Sequence, residues 1–324
     1  MSEPERLLTV TNLSVERAGA ARPELDHISI AVEARETIVI LGEAGSGKDA
    51  LMRALAKALD DGETLTGNIR YGREGSVSAG AMRTAYLPGP YSKPLSPNAS
   101  AIAQFARVIA RKLGGPLASG RTEFAQELGR LEGAPPLAAF EKRAAEIPNE
   151  ILAWGLLATA LAQAPDLLLV DHLFEGLAPK ASRVLERALL AAKTRLNCTL
   201  ICATMNTDTA LRLGGRLIVM RSGRIVEEGP LQRLVTAQAH AYTQTLFKDP
   251  GPRERSAQRG QPVVQALRIA LNGEAKARDE INFELRRGAS LALVGEEGSG
   301  RHRLARMILG MDRLEKGRIV FDAV

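Results

Sequence analysis

The sequence predicts an α/β fold: a mostly parallel core sheet, an antiparallel β part beside it, and helices inserted into the chain. Three observations predict it. Apolar runs such as "TIVIL" at Thr37–Leu41 and "LLLV" at 167–170 have the character of strands buried on both faces. A segment of alternating polarity, "HISIAVE" from His27, precedes the first run and reads as a half-exposed strand. A glycine-rich loop, "GEAGSGKD", joins that first run to a helical pattern.

Taken in order, the chain reads strand, turn, apolar strand, glycine loop, helix, and a further strand around "GNIRYG" from Gly67. From Ala101 to Gly133 the patterns "AIAQFARVIARKL" and "EFAQELGRL" predict a helical insertion. The most apolar stretch, Ile151 to Val170, is cut by Gln163, Pro165 and Asp166 into a helix of ~14 residues and a strand, too short to span a bilayer. Cys198 and Cys202 lie in "NCTLICAT", an apolar run that predicts a buried strand. No His or Cys pair completes a metal site around them, so they read as reduced core thiols.

Part of this order recurs. "HISIAVEARETIVILGEAGSGKDALMRAL" from His27 matches "EINFELRRGASLALVGEEGSGRHRLARMI" from Glu280, with Gly42, Gly45 and Gly47 returning as Gly295, Gly298 and Gly300. "GNIRYG" returns as "GRIVFD" from Gly317, and Leu291–Val294 is the predicted counterpart of the buried strand at Thr37–Leu41. Between the copies, "KDPGPRERSAQRGQP" has a linker composition. The expected organisation is a first domain over 1–247 with a helical subdomain at about 90–155, a linker over 248–261, and the beginning of a second domain over 262–324. Pro262–Val324 is expected to pack on the first domain or to dimerise, and the end at Val324 reads as natural or as a truncation.

With 45% hydrophobic and 25% charged residues among 324, the composition is that of a soluble globular protein and argues against disorder. The net charge of +6 suits an anionic partner. Aromatics make up only 4%, and the arginines are scattered on predicted helices, so no direct nucleic-acid partner is expected. The opening "MSEPER" is charged and is not a secretory signal.

The loop Gly42-Glu43-Ala44-Gly45-Ser46-Gly47-Lys48-Asp49 is one residue from G-x-x-x-x-G-K-[S/T]. Such a loop between strand and helix turns backbone N–H groups toward phosphate, and its lysine reaches the terminal phosphates. The hydroxyl that would touch Mg²⁺ is replaced by Asp49. A carboxylate is a good ligand for a hard cation but repels phosphate. In the second loop Arg301 replaces the lysine and His302 the hydroxyl. In "LLLVDHLFEGL", Asp171 ends an apolar strand where nucleotide sites place a magnesium carboxylate, and His172 follows in the position of a base. His172 reads either as a general base or as a strand-end histidine with no catalytic duty.

The order of strand, glycine loop, helical insertion, "LLLVD", "TLICAT" and "GRLIVMRSGRIVEEGP" resembles the ATP-binding subunit of ABC transporters. "GRIVEEGP" from Gly223, followed by "AHAYTQTLF" from Ala239, is similar to the oligopeptide, dipeptide and nickel importer branch, and the second copy resembles the start of the second ATPase in its tandem-fused members. The resemblance implies a phosphate-loop ATPase fold and places the family's functional positions on this chain. The magnesium hydroxyl falls on Asp49 and the glutamine of the glutamine loop on Pro88. The signature serine and glycines fall on Pro148, Asn149 and Glu150, with Glu150 facing a partner subunit's triphosphate. The catalytic glutamate falls on His172, the dimer-contact aspartate on Ala178, the switch histidine on Met205, and the adenine-stacking aromatic near Arg17.

Gly42, Gly45, Gly47, Lys48 and Asp171 keep the family's residue type. The resemblance therefore implies a nucleotide-binding subunit that takes ATP and Mg²⁺ weakly or conditionally. It implies membrane subunits and a second nucleotide-binding subunit or a second copy as partners, and a peripheral place on the cytoplasmic face of the membrane. Hydrolysis stays open. One reading is a weak or inactive subunit with a structural or regulatory role. Another is an ATPase that uses His172 as base with Asp49 and Asp171 on the metal. A nucleic-acid-associated relative is a third.

Overall fold

The computed structural model describes residues 6–72, 82–89, 95–237, 240–248, 261–271, 280–295 and 299–321. The chain divides into two units, Met1–Lys248 and Asp249–Val324.

The first unit opens with β1 (Arg6–Arg17), β2 (Leu25–Glu33), β3 (Thr37–Leu41), α1 (Lys48–Ala56), β4 (Glu63–Tyr71) and β5 (Thr84–Pro88). Helices α2 (Ala101–Leu113), α3 (Leu117–Gly129) and α4 (Asn149–Leu161) precede β6 (Leu167–Asp171). Then come α5 (Pro179–Leu196), β7 (Thr199–Thr204), α6 (Thr207–Leu213), β8 (Arg216–Arg221), β9 (Arg224–Pro230), α7 (Leu231–Thr236) and α8 (Ala241–Phe247).

β1, β2 and β4 form an antiparallel sheet in the order β2-β1-β4, while a six-stranded sheet runs β5-β6-β7-β3-β8-β9. The larger sheet is parallel except at β8 and β9. Its apolar strands are apolar because both faces are covered. Ile38 and Ile40 of β3, with Leu167 and Leu169 of β6, point into one core shared with β1, β2 and α1. Val39 and Leu41, with Leu168 and Val170, point into a second core shared with the inserted helices. Each buried aliphatic side chain contributes about 1.5–3 kcal/mol of transfer free energy, so strands facing two cores hold the centre of the unit.

The inserted helices pack closely. Ile102, Phe105, Ala106 and Ile109 form the buried stripe of α2, and α4 is buried from Leu152 to Leu161. Phe105, Phe124 and Phe140 meet as a stacked and edge-on cluster with centroids 5.2, 6.1 and 5.4 Å apart. Gly155 lets α4 approach it, since a Cβ there would sit 2.4 Å from the Phe105 ring.

Strand register places the site. In the parallel ladder Pro88 is opposite Asp171, Asp171 opposite Ala203, and Leu41 opposite Thr204. The carboxyl ends of β3, β5, β6 and β7 therefore finish level, at the edge where open α/β sheets place ligands.

In the second unit β10 (Pro262–Ile269), β11 (Ile281–Arg286) and β12 (Arg318–Phe321) form an antiparallel sheet in the order β11-β10-β12, with α9 (Arg301–Ile308) between β11 and β12 in sequence. Ala266, Ile269, Leu304 and Met307 make its small core. One expectation fails here. Leu291–Val294, read as a buried strand, has no strand assignment, and Val294 is 92% exposed. β3 is held between β7 and β8, but among the described residues of this unit no strand flanks 291–294, so the apolar run has no ladder to join.

Candidate functional site

The loop after β3 is set by its glycines. Gly47 caps α1 with φ 95°, and a Cβ there would lie 2.6 Å from the Glu24 carbonyl oxygen. Gly45 has φ 74°, and it shares an exposed turn with Ala44. Only glycine adopts this path cheaply so close to other backbone. Gly42 is buried at the start of the loop. Ser46 is buried with no hydrogen-bond partner for its Oγ. Lys48 is 1% exposed, and its Nζ donates to the Glu43 carbonyl at 3.2 Å and stands 3.3 Å from Asp49 Oδ1. A cleft of about 480 Å³ opens beside the loop, lined among others by Arg17, Gly45, Gly47, Asp49 and Arg53. Arg17, near the position of an adenine-stacking aromatic, is bound to Glu24, Asp60 and Glu63.

The fold brings Asp49, Asp171 and His172 together. His172 Nε2 lies 2.8 Å from Asp49 Oδ1 and 3.6 Å from Asp171 Oδ1, while Nδ1 lies 2.5 Å from Glu175 Oε2. Donor atoms of Asp49, Asp171 and His172 all lie within 4.8 Å of one another. Burial disfavours the charged imidazole, but hydrogen bonds to Asp49 and Glu175 outweigh it and raise the His172 pKa from 6.5 to about 9. The hydrogen bond from His172 holds Asp49 down, to about 2, against its own partial burial. Asp171 moves the other way. Burial raises it, although Tyr86 donates its hydroxyl to Oδ2 at 2.8 Å. Asp171 Oδ1 is buried and has no hydrogen-bond partner. Burial pushes Glu175 up, but the bond from His172 and the Met205 N–H donated to Oε1 at 2.9 Å leave it below its usual range.

Other positions that the resemblance names have the following contacts within the chain. Glu150 Oε1 accepts the Ala178 N–H at 3.2 Å in the same chain, joining the starts of α4 and α5. Pro88 ends β5 without a donor, and Gly89 lets that end approach His172, whose carbonyl oxygen would meet a Cβ at 2.5 Å. In the second unit Gly300 caps α9 with φ 84°, and Arg301 donates to the Gly295 carbonyl. Gly298 lies outside the described residues.

Three site residues escape sequence reading. For Glu175 the signal is its place three residues after His172 in "DHLFEGL", the spacing of one turn, which the sequence reading does not use. Tyr86 had only its place at the end of an apolar segment. Tyr242, whose hydroxyl accepts the Glu43 N–H and lies 3.3 Å from Glu43 Oε2, carries no local signal. Only the return of α8 to the loop places it there.

No protein-family model matches the chain. It is 26% identical over 348 residues to YejF, an ABC transporter ATP-binding protein of Escherichia coli K12, covering 98% of this chain and 65% of the relative. A peptidoglycan transport ATP-binding protein of Agrobacterium fabrum is 27% identical over 350 residues, with 97% and 62% covered. The glutathione import ATP-binding protein GsiA of Salmonella paratyphi A is 22% identical over 366 residues, with 96% and 59% covered. The chain thus spans less than two thirds of the length of these relatives. Among solved structures, a dimeric ATP-binding cassette in a post-hydrolysis state with ADP and Pi superposes with a TM-score of 0.59 at 16% identity, covering 69% of this chain and 99% of that one. A part of the cbiONQ ABC transporter complex of Clostridium perfringens gives 0.56 at 20% identity, with 72% and 92% covered. In fold the chain is similar to ATP-binding cassettes, and in sequence it is similar to ABC transporter ATP-binding proteins.

Proposed function

We propose that the chain is the nucleotide-binding subunit of a peptide-type ABC importer, holding ATP at the Gly42–Asp49 loop while turning it over slowly or not at all. It acts as a structural or regulatory partner, docked to membrane subunits at the cytoplasmic face and paired with a second nucleotide-binding subunit. The chain's relatedness to ATP-binding proteins of peptidoglycan and glutathione transport supports a peptide-like solute. The repeated loop at Gly295–Arg301 supports a tandem arrangement. Among the described residues no helix is long and apolar enough to cross a membrane.

One observation carries the inactive reading: both nitrogens of His172 are engaged by carboxylates, Asp49 on one side and Glu175 on the other. A base must accept a proton from the attacking water. An imidazole with a pKa near 9 is already protonated at neutral pH, and both its N–H groups are donated. Glu175 is occupied as well, by His172 and the Met205 N–H.

The loop itself fits a phosphate. Gly47 leads the backbone into the start of α1, and the Lys48 ammonium lies within the same loop, 3.2 Å from the Glu43 carbonyl. Mg²⁺ fits less well. It demands near-octahedral oxygen ligation, and here an imidazole stands between the two carboxylates.

The test is calorimetric titration of ATP with and without Mg²⁺, followed by turnover of the double variant Asp49→Ser, His172→Glu. Binding that survives EDTA, and a double variant faster than the parent, are expected. A parent that hydrolyses ATP and loses that activity on His172→Asn would sink the reading and establish His172 as the base.

A further inference from the structure

We propose that Asp49, Asp171 and His172 form a binding site for a divalent transition metal of the zinc class, filled without nucleotide. The proposal shares with the proposed function only the location of the cluster beside the phosphate loop.

The donor set is one imidazole nitrogen and two carboxylate oxygens, with all three donor atoms within 4.8 Å. That mixture suits zinc and its neighbours, whereas Mg²⁺ and Ca²⁺ call for oxygen alone. Spacing agrees. Two ligands about 2.05 Å from a tetrahedral ion stand about 3.3 Å apart. The distances from His172 Nε2 to Asp49 Oδ1 and Asp171 Oδ1, 2.8 and 3.6 Å, bracket that value, so small rotations admit the ion.

A second, independent feature points to a ligand. Asp171 Oδ1 belongs to a side chain only 9% exposed, is directed at the cluster, and has no hydrogen-bond partner. A buried carboxylate oxygen left bare is costly, and a metal ion satisfies it.

Each ligand is also held from behind, as metal ligands are. Glu175 Oε2 sits on His172 Nδ1 at 2.5 Å, which leaves Nε2 for the metal. The Met205 N–H fixes Glu175, and the Tyr86 hydroxyl fixes Asp171 through Oδ2, the oxygen the metal does not need. The backbone turn at His172, φ 55°, aims the ring into the cluster. Lys48 Nζ stands 3.3 Å from Asp49 Oδ1 and competes for it. The imidazole gives up a proton as the metal binds, and three carboxylates against one ammonium then leave two negative charges for a divalent ion to neutralise. Asp49 is half exposed and gives the ion its path from solvent and a free position for water.

The experiment is titration of zinc chloride, without nucleotide, into the full chain stripped with EDTA. One ion per chain with micromolar or tighter affinity is expected. His172→Asn, chosen because asparagine tolerates a left-handed φ, should weaken it at least ~10-fold, and Glu175→Gln ~10–100-fold. Cobalt on the unaltered chain should give the intense visible absorption of a four-coordinate site, a readout that needs no variant to fold. Zinc affinity equal in the parent and in His172→Asn overturns the proposal, as does no binding tighter than about 1 mM. ATP binding in EDTA, measured on the same sample, separates the two readings. Zinc failing while ATP binds sinks only the metal site, and ATP failing while zinc binds sinks only the nucleotide-subunit reading.

Discussion

At His172 the backbone leaves β6 with φ 55°, a conformation few residues other than glycine and asparagine adopt readily, and the ring that results is bracketed by Asp49 and Glu175. The pairing has a sign that pH reveals. The folded pKa of His172 lies above the unfolded value of 6.5, at about 9. Its contribution to stability is therefore complete below 6.5 and lost as pH rises through 9. Asp49, held near 2 instead of 3.8, contributes above 3.8 and loses that contribution as pH falls toward 2. The melting temperature of the parent should fall between pH 7 and pH 9.5, and that fall should flatten in His172→Asn. Equal slopes in the two proteins would show that the bracketed ring does not contribute. At Lys48, nearly fully buried and aimed back at its own loop, Lys48→Met should weaken ATP binding in EDTA at least ~10-fold, about 1.4 kcal/mol of lost phosphate contact, read by calorimetry.

At the scale of elements, the glycine loop and the inserted helices are tight for different reasons. Gly47 combines φ 95° with backbone contact to Glu24, so Gly47→Ala should cost about 1–3 kcal/mol in urea unfolding and distort the start of α1. Among the helices the limit is side-chain volume. Gly155→Ala pushes a methyl into Phe105 and should cost about 1–3 kcal/mol, while Phe124→Ala leaves a cavity within the aromatic cluster and should cost about 3–5 kcal/mol. If Phe124→Ala instead costs less than 1 kcal/mol, the helical insertion is looser than its packing indicates. The link between Glu150 and Ala178 is also an element-scale device, tying the start of α4 to that of α5 within one chain.

For the whole molecule, the two units differ in what they bury. Met1–Lys248 encloses two apolar cores on opposite faces of one sheet. Asp249–Val324 has a core of Ala266, Ile269, Leu304 and Met307 with a partly buried surround, and it exposes Val294, Leu309 and Met311. A fragment with so small a core has little to offset its chain entropy. Residues 1–248 expressed alone should melt cooperatively by circular dichroism, and 249–324 alone should not. A sharp transition in the smaller fragment would contradict this.

The sequence by itself determined the α/β class, the apolar strands of the central sheet and the glycine loop between β3 and α1. Each of these rests on local periodicity or on a backbone path that only certain residues take. The pairing of Asp171 with the loop was legible too, because an acid at the end of a buried strand has few other uses. The same local reasoning misassigned Leu291–Val294, where the pattern of a buried strand is present and the neighbouring strands are not. It also gave His172 two roles and could not choose. Tertiary structure adds distances that no spacing encodes. Asp49 and His172 are 123 residues apart in sequence, yet their side chains meet at 2.8 Å because β3 and β6 end level on either side of β7. Whether a histidine is a free base or a bound cation depends on what faces both its nitrogens, and that is fixed only when the strands are in register.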